Sequence, residues 1–273
     1  MKILIIGDIH ARPFWREAVD KYANECDKII FLGDYVDPYK PEGYTRKDAI
    51  KTLEDVIEFK RNNREKVILL TGNHDAHYFL KNFPRSTRYD SSHAYKIREI
   101  YSTNKDLFRL AYEEILNGRK YLFTHAGLMN SWIERNKKII GEPTVEHLNR
   151  LVDFPGGISA LSDISRYRTW LGEKSGSILW SDVREKIDLD DSIEYNILPN
   201  EDSVVGEYDY QIFGHTLMKK PIINEKWACL DCKKAFILDD SGDLLEIKEE
   251  TENEEIKTDK KHGTVQNTEN DKP

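Results

Sequence analysis

Five short segments carry residue types that bind divalent cations or move protons. They are Gly7-Asp8-Ile9-His10, Gly33-Asp34-Tyr35-Val36-Asp37, Gly72-Asn73-His74-Asp75, Thr124-His125-Ala126-Gly127 and Gly214-His215-Thr216. Carboxylate, amide oxygen and imidazole together are ligands for Mn, Fe, Zn or Co, and none of the five segments offers a thiolate. In four of them a glycine precedes the polar residue, letting the chain turn sharply and a short side chain point into a cleft. Taken singly, each segment reads as something plainer. An Asp-x-His or a Gly-Asn-His-Asp is more often a hydrogen-bonded turn, and His125 or His215 alone is more often a structural histidine. Five such segments, each at the end of a predicted strand, do not arise as unrelated turns. Jointly they specify a metal site.

The elements that must position these residues follow from hydrophobic pattern. Residues 2–6, 28–32 and 67–70 are β-branched and large apolar runs, the first two opened by a lysine, each followed within two residues by a glycine, the pattern of strands buried on both faces. Between them, residues 13–26 carry Phe14, Ala18 and Tyr22 at helical spacing. Residues 45–61 carry Ala49, Leu53, Val56 and Ile57 as one stripe, with Thr45 as N-cap and Asp48 completing a capping box. Three strand–loop–helix units in the first 80 residues predict an α/β fold with crossover connections. Ligands of such folds gather outside the carboxyl ends of the strands, where all five segments fall. Further along, residues 76–118 and 130–175 read as helical, the latter broken by Pro143 and Pro155. Short strands are expected at 121–123, 178–180, 210–213, 228–230, 235–238 and 244–247.

The chain has 273 residues, 39% apolar and 11% aromatic, as expected of a globular protein rather than a disordered one. No apolar run approaches the roughly 20 residues that span a bilayer, and the first residues lack the pattern of a secretory signal. A cytoplasmic protein without membrane attachment is expected. The formal charge of −8 argues against general nucleic-acid binding. Cys26, Cys229 and Cys232 make no disulfide framework, and Cys229-x-x-Cys232 reads as small buried residues at a late strand and turn. After Ile247 the composition turns to Glu, Lys, Thr, Asn and Asp, which predicts a globular domain over 1–247 and a charged, disordered tail over 248–273.

In order and content the five segments resemble those of the calcineurin-like metallophosphoesterases, over about residues 1–247. Gly-Asp-Tyr-Val-Asp at 33–37, His-Ala-Gly-Leu at 125–128 and Leu-Trp-Ser-Asp at 179–182 are most similar to the branch of serine/threonine phosphoprotein phosphatases and diadenosine tetraphosphatases. The resemblance implies two mixed β-sheets packed as a sandwich, with flanking helices and helical insertions over the cleft. It implies two divalent ions, Mn first, with Fe, Zn, Co or Ni as alternatives. Asp8 and His10 would hold one ion, Asp34 would bridge both, and Asn73, His125 and His215 would complete the other. His74 would act as general acid, oriented by Asp37, while Asp75 and Asp182 would orient ligands. Leu217 stands where many members have a further histidine, so the first ion should have fewer protein ligands.

Two departures bear on substrate. The phosphoprotein phosphatases have arginines where this chain has Pro38 and Thr71, so the phosphate clamp must come from elsewhere. Arg12 is the first candidate, ahead of Arg85, Arg88, Arg166 and Arg168. His77 reads as a helix-surface residue, and His93, His147 and His262 as solvated. The implied activity is hydrolysis of phosphate esters, as a phosphomonoesterase or protein phosphatase acting on phosphoprotein or a small metabolite. The alternative is a hydrolase of dinucleoside polyphosphates or nucleotides. A non-catalytic interaction module would be free to lose His74, Asp37 or a ligand, and all are present.

Overall fold

Ile3–Ile6, four apolar residues with no exposed surface, form the first strand, β1. The computed structural model describes residues 1–164, 176–189, 192–197 and 206–247. The first half continues with α1 (Phe14–Tyr22), β2 (Lys28–Phe31), α2 (Arg46–Asn62), β3 (Val67–Leu70), α3 (Asn73–Phe79) and α4 (Ala94–Thr103). Then come β4 (Phe108–Arg109), β5 (Ala111–Leu116), β6 (Arg119–Thr124) and four short helices, α5 (Asn130–Arg135), α6 (Lys137–Ile140), α7 (Val145–Arg150) and α8 (Gly157–Leu161). The last part holds β7 (Arg184–Leu189), β8 (Ser192–Ile197), β9 (Tyr210–Phe213), β10 (Ile222–Ile223), β11 (Trp227–Cys229), β12 (Ala235–Leu238) and β13 (Leu244–Glu246).

These strands make two mixed sheets, ordered β13-β12-β1-β2-β3-β4 and β10-β11-β9-β6-β5, and a separate β7-β8 hairpin. Alternation along β1 assigns its two faces. Ile3 and Ile5 join Ile30, Ile68 and Leu70 against Phe123, Ile212 and Ala228 of the second sheet, so this cluster is the layer between the sheets. Leu4 and Ile6 point the other way, to Val19 of α1, Leu53 and Val56 of α2 and Tyr101 of α4. On the far side, Leu122, Phe213 and Trp227 are covered by Trp132 of α5, Leu148 of α7 and Leu161 of α8. The result is the expected sandwich with helices outside. Burying both faces of central strands is why their sequences are continuous apolar runs rather than alternating ones.

Helix α2 starts as its sequence dictates: Thr45 accepts from the Asp48 amide, and the Asp48 carboxylate accepts from the Thr45 amide. Two expectations need correction. Residues 76–118 are not helical throughout, because β5 pairs with β6 across the turn Asn117-Gly118, whose φ angles of 47° and 79° suit a tight hairpin. Residues 178–180 form a turn rather than a strand, tied by the Ala126 amide to the Ile178 carbonyl. Helices α5–α8 pack on the second sheet, while the loop between α3 and α4 and Ile164 after α8 reach the cleft. Arg166, Arg168, His262 and the expected tail over 248–273 lie outside the described residues. Among the described residues, no helix is long and apolar enough to cross a membrane.

Candidate metal centre

Strands β1, β2 and β3 run parallel in the first sheet, and β6, β9 and β11 run parallel in the second. Their carboxyl ends open on one edge of the sandwich, and each delivers a polar residue there. Asp8 and His10 follow β1, Asp34 and Asp37 follow β2, Asn73 and His74 open α3 after β3, His125 follows β6 and His215 follows β9. Backbone bonds fix these loops to one another: the His10 amide donates to the Asp34 carbonyl at 2.7 Å, and the Gly214 amide to the His125 carbonyl at 2.7 Å. His10, Asp34, Asp37 and His215 all take positive φ, between 46° and 66°. Such backbone is costly outside glycine and persists only where surrounding structure holds it, commonly at functional sites.

Two carbonyl contacts set the ring protons. His10 Nδ1 donates to the Val36 carbonyl at 2.9 Å, and His125 Nδ1 to the Leu32 carbonyl at 2.8 Å. A carbonyl only accepts, so each neutral ring carries its proton on Nδ1 and presents a lone pair at Nε2. His125 Nε2 is 3.0 Å from Asn73 Oδ1, 3.2 Å from His215 Nδ1 and 3.6 Å from Asp34 Oδ1. His10 Nε2 is 3.3 Å from Asp34 Oδ2. Asp8, His10 and Asp34 form one group of donors; Asp34, His125 and His215, joined by Asn73 Oδ1, form another, with the Asp34 carboxylate common to both. The His10 and His125 Nε2 lone pairs each face an oxygen of the same Asp34 carboxylate. The two groups present donor types that suit divalent ions and could each hold one, with Asp34 offered to both.

The electrostatics agree. Burial raises Asp8 well above the usual carboxylate range, with Asp231 and Asp34 adding to the rise. Burial also pushes Asp34, Asp75 and Asp231 each up to about 7. It pulls His125 down to about 4 and holds His10 well below its ordinary value. Crowded carboxylates and neutral imidazoles are what a site for cations requires before the cations arrive.

Around the donors lies an orienting layer. Asp75 accepts from the amides of Asp34 (2.8 Å), Gly72 (2.8 Å) and Tyr35 (3.0 Å) and from the Tyr101 hydroxyl (2.5 Å), which fixes the turn carrying Asp34. Asp182 is buried at the same cleft, its Oδ1 3.5 Å from Thr216 Oγ1. Asp231, next to Cys232 and just beyond β11, is buried with Oδ1 unbonded, a further acidic neighbour of Asp8. It obeys the same rule as the five segments, a polar residue after a buried strand, and could have been found by it.

His74 sits beside the donors. Its Nδ1 is 2.9 Å from Asp37 Oδ2 and its Nε2 is 2.9 Å from Arg88 Nη2. Asp37 also accepts from the Tyr78 hydroxyl at 2.5 Å, and His77 Nε2 lies 2.9 Å from Asp37 Oδ2 without the alignment of a hydrogen bond. His77 is therefore buried beside Asp37 and not on the helix surface. His93 is likewise tied to Asp90, at 2.7 Å.

Arg12 does not reach the cleft. Its guanidinium is buried, doubly bonded to Glu42 at 2.7 and 3.1 Å and donating to the Asp8 carbonyl at 3.2 Å, so it braces the first loop. Arg88 does line the cleft. Its Nη2 reaches both His74 Nε2 and His10 Nε2, at 2.9 and 3.2 Å, on the wall of a cavity of about 340 Å³ that His10, Asp34, Asn73 and His215 also line.

Residues 1–219 match the family described as calcineurin-like phosphoesterase. Among solved structures, one similar chain is a protein serine/threonine phosphatase from Saccharomyces cerevisiae with similarity to human phosphatase PP5. It is 13% identical, with a TM-score of 0.45, and the match covers 92% of this chain and 82% of that one. Another is an archaeal phosphodiesterase, 16% identical with a TM-score of 0.37, covering 90% of this chain and 99% of that one. A third is Yfce, a phosphoesterase from E. coli, 19% identical with a TM-score of 0.26, covering 46% of this chain and 58% of that one. No curated protein matches the sequence.

Proposed function

The chain belongs to the calcineurin-like phosphoesterase family, and we propose that its acceptor cluster holds two divalent ions over which a phosphate ester is hydrolysed. Asp8, His10 and Asp34 would hold one ion, and Asp34, Asn73, His125 and His215 the other. Manganese is the ion proposed; iron, zinc, cobalt and nickel accept the same ligand types. Two such ions, when bound, polarise phosphoryl oxygens and activate water near neutral pH.

The chain's own residues do the rest. Arg88 offers a guanidinium to the phosphate oxygens, the planar fork that such groups favour. In this structure the same guanidinium donates to His74 Nε2. An entering phosphate draws it away and leaves Nε2 free to carry a proton. The water oxygen then forms its bond to phosphorus as the bond to the leaving oxygen breaks, and that oxygen takes the proton from His74 Nε2. Asp37, at 2.9 Å from Nδ1, holds the ring in position and supports its cationic form. Phosphomonoesters, phosphoproteins among them, and dinucleoside polyphosphates all present such a bond, and the centre alone does not separate them.

One observation carries the proposal: lone-pair donors converge in two groups that share one carboxylate. A non-catalytic scaffold needs neither that convergence nor the His74–Asp37 pair. The test is to strip the protein with chelator, reload it with Mn and measure metal content and hydrolysis of p-nitrophenyl phosphate. Two equivalents bound and activity only in the loaded form are expected. Full activity in excess chelator would overturn the proposal.

A further inference from the structure

We infer that His77 is a positioning residue for the reaction: one buried ring that steadies Asp37 through Nε2 and the loop carrying Arg88 through Nδ1. This rests on the phosphoesterase reading above and deepens it.

Asp37, His74 and His77 gather three buried side chains much as the two donor groups do. The placement of their ring protons gives them a different role. The Ser86 amide donates to His77 Nδ1 at 3.2 Å, so that nitrogen offers a lone pair and the ring bears its proton at Nε2. Arg88 has only donors, so His74 Nε2 accepts from it and His74 keeps its proton at Nδ1. Both rings therefore turn an N–H toward one carboxylate oxygen, His74 Nδ1 and His77 Nε2 each lying 2.9 Å from Asp37 Oδ2. The Tyr78 hydroxyl donates to the other oxygen, Oδ1. An N–H offers a cation no lone pair, so this cluster holds a carboxylate in place rather than a metal. His77 Nε2 is buried and has no aligned hydrogen bond. A buried N–H is costly to leave without an acceptor, and the acceptor 2.9 Å away is Asp37.

The same ring governs where Arg88 sits. Two consecutive side chains of α3 tack down the loop that follows it. His77 takes the Ser86 amide, and the Tyr78 hydroxyl takes the Asp90 amide at 2.8 Å. Arg88 lies midway between those two points. Tyr89 stacks on Tyr78 with ring centroids 4.9 Å apart and meets His77 edge-on at 5.0 Å. Ser86 also places its Oγ 2.9 Å from His74 Nδ1. One helical side chain thus sets the acid pair and the Arg88 loop relative to each other. A side chain that only filled the core would need neither nitrogen.

Two substitutions take the nitrogens apart. In His77→Asn the side-chain oxygen stands in for Nδ1, and nothing reaches the place of Nε2. In His77→Gln the side-chain amide nitrogen stands in for Nε2, and the Ser86 amide loses its acceptor. On the Mn-loaded full chain, His77→Asn should lower kcat about tenfold on an alkyl phosphate and less on p-nitrophenyl phosphate, with KM kept. His77→Gln should raise KM about tenfold on both substrates and keep the wild-type dependence on leaving group. Calorimetric titration with inorganic phosphate gives a readout independent of turnover. Its Kd should weaken about tenfold in His77→Gln and hold in His77→Asn. Both variants should bind two equivalents of Mn. The same kinetic change in both, wild-type kinetics with only a lower melting temperature, or loss of metal would each make His77 a structural residue and overturn the inference. Failure of the wild-type chain to hydrolyse even p-nitrophenyl phosphate would instead defeat the phosphoesterase reading beneath it.

Discussion

His74 and the donors beside it lie within a few ångströms of one another, yet replacing them should fail in different ways. His74→Asn should keep both metals and lose roughly 10²–10⁴ in rate on an alkyl phosphate, the range of general acid catalysis. The loss should shrink on p-nitrophenyl phosphate, whose leaving group departs without a proton. Asp37→Asn should show the same dependence in milder form, since it alters only the support at Nδ1. His125→Asn should lose metal and fail about equally on both substrates. Equal losses in His74→Asn on good and poor leaving groups would defeat the acid assignment. Asp34→Asn removes the carboxylate common to both donor groups, so metal content and turnover should fall together. Two metals retained at normal turnover would end the bridging role. The donors were legible in sequence because each follows a buried strand, where a polar side chain has little to do but face the cleft. Arg88 was ranked behind Arg12, because it lies in an irregular loop and only the fold says which loop arginine turns inward. Arg12, close to His10 in sequence, is claimed instead by Glu42, a residue 30 positions away.

The strand ends place the donors, and glycine lets them approach. A Cβ on Gly72 would lie 2.0 Å from Asp34 Oδ1 and 2.5 Å from the Asp34 amide nitrogen, so backbone must shift. Gly72→Ala should therefore displace the bridging carboxylate, with metal lost and turnover down about 10²-fold, the scale of an ångström's misplacement. Gly43→Ala is the control: φ there is 80°, but nothing lies within 4 Å of the added carbon. It should cost about 1–2 kcal/mol of backbone strain and leave metal content alone. Elemental analysis and chemical denaturation of both variants separate the two effects, and full metal in Gly72→Ala would refute the packing argument. The same scale shows what sequence pattern could and could not supply. Central strands and α2 were readable because burial on two faces, an amphipathic stripe and a capping box are local signals. Strand β5 was not, since Glu113 and Glu114 break its apolar pattern. Its one strong local mark, Asn117-Gly118, indicates a hairpin only when read with the strand after it.

Across the whole molecule, the sandwich brings Asp8, Asp34, Asp75 and Asp231 into one buried region although the last is more than 220 residues from the first. Nothing local announces that convergence; it is a consequence of two parallel strand sets ending on one edge. Without metal, the folded chain must either crowd these charges or hold protons on them. Burial raises Asp34, Asp75 and Asp231 to about 7, well above their unfolded values. Between pH ~4 and ~7 the folded state thus binds protons that the unfolded chain has released, and stability falls as pH rises through that window. The metal-free protein should accordingly melt about 5 °C or more lower at pH 7.5 than at pH 5.5, each kcal/mol being worth roughly 2–4 °C at this size. The proposed divalent ions would replace protons at the donor carboxylates and would bind the folded centre rather than the unfolded chain. At a hundredfold excess over Kd a single ion contributes about 2.7 kcal/mol, so Mn should raise the melting temperature by several degrees at pH 7.5. At pH 5.5, where protons compete for the same oxygens, the increment should be smaller. Thermal scans in chelator and in Mn at the two pH values make the four measurements needed. A melting temperature in chelator that does not fall between pH 5.5 and 7.5 would mean the buried carboxylates are already compensated within the chain, and the case for cations at this edge would lose its electrostatic basis.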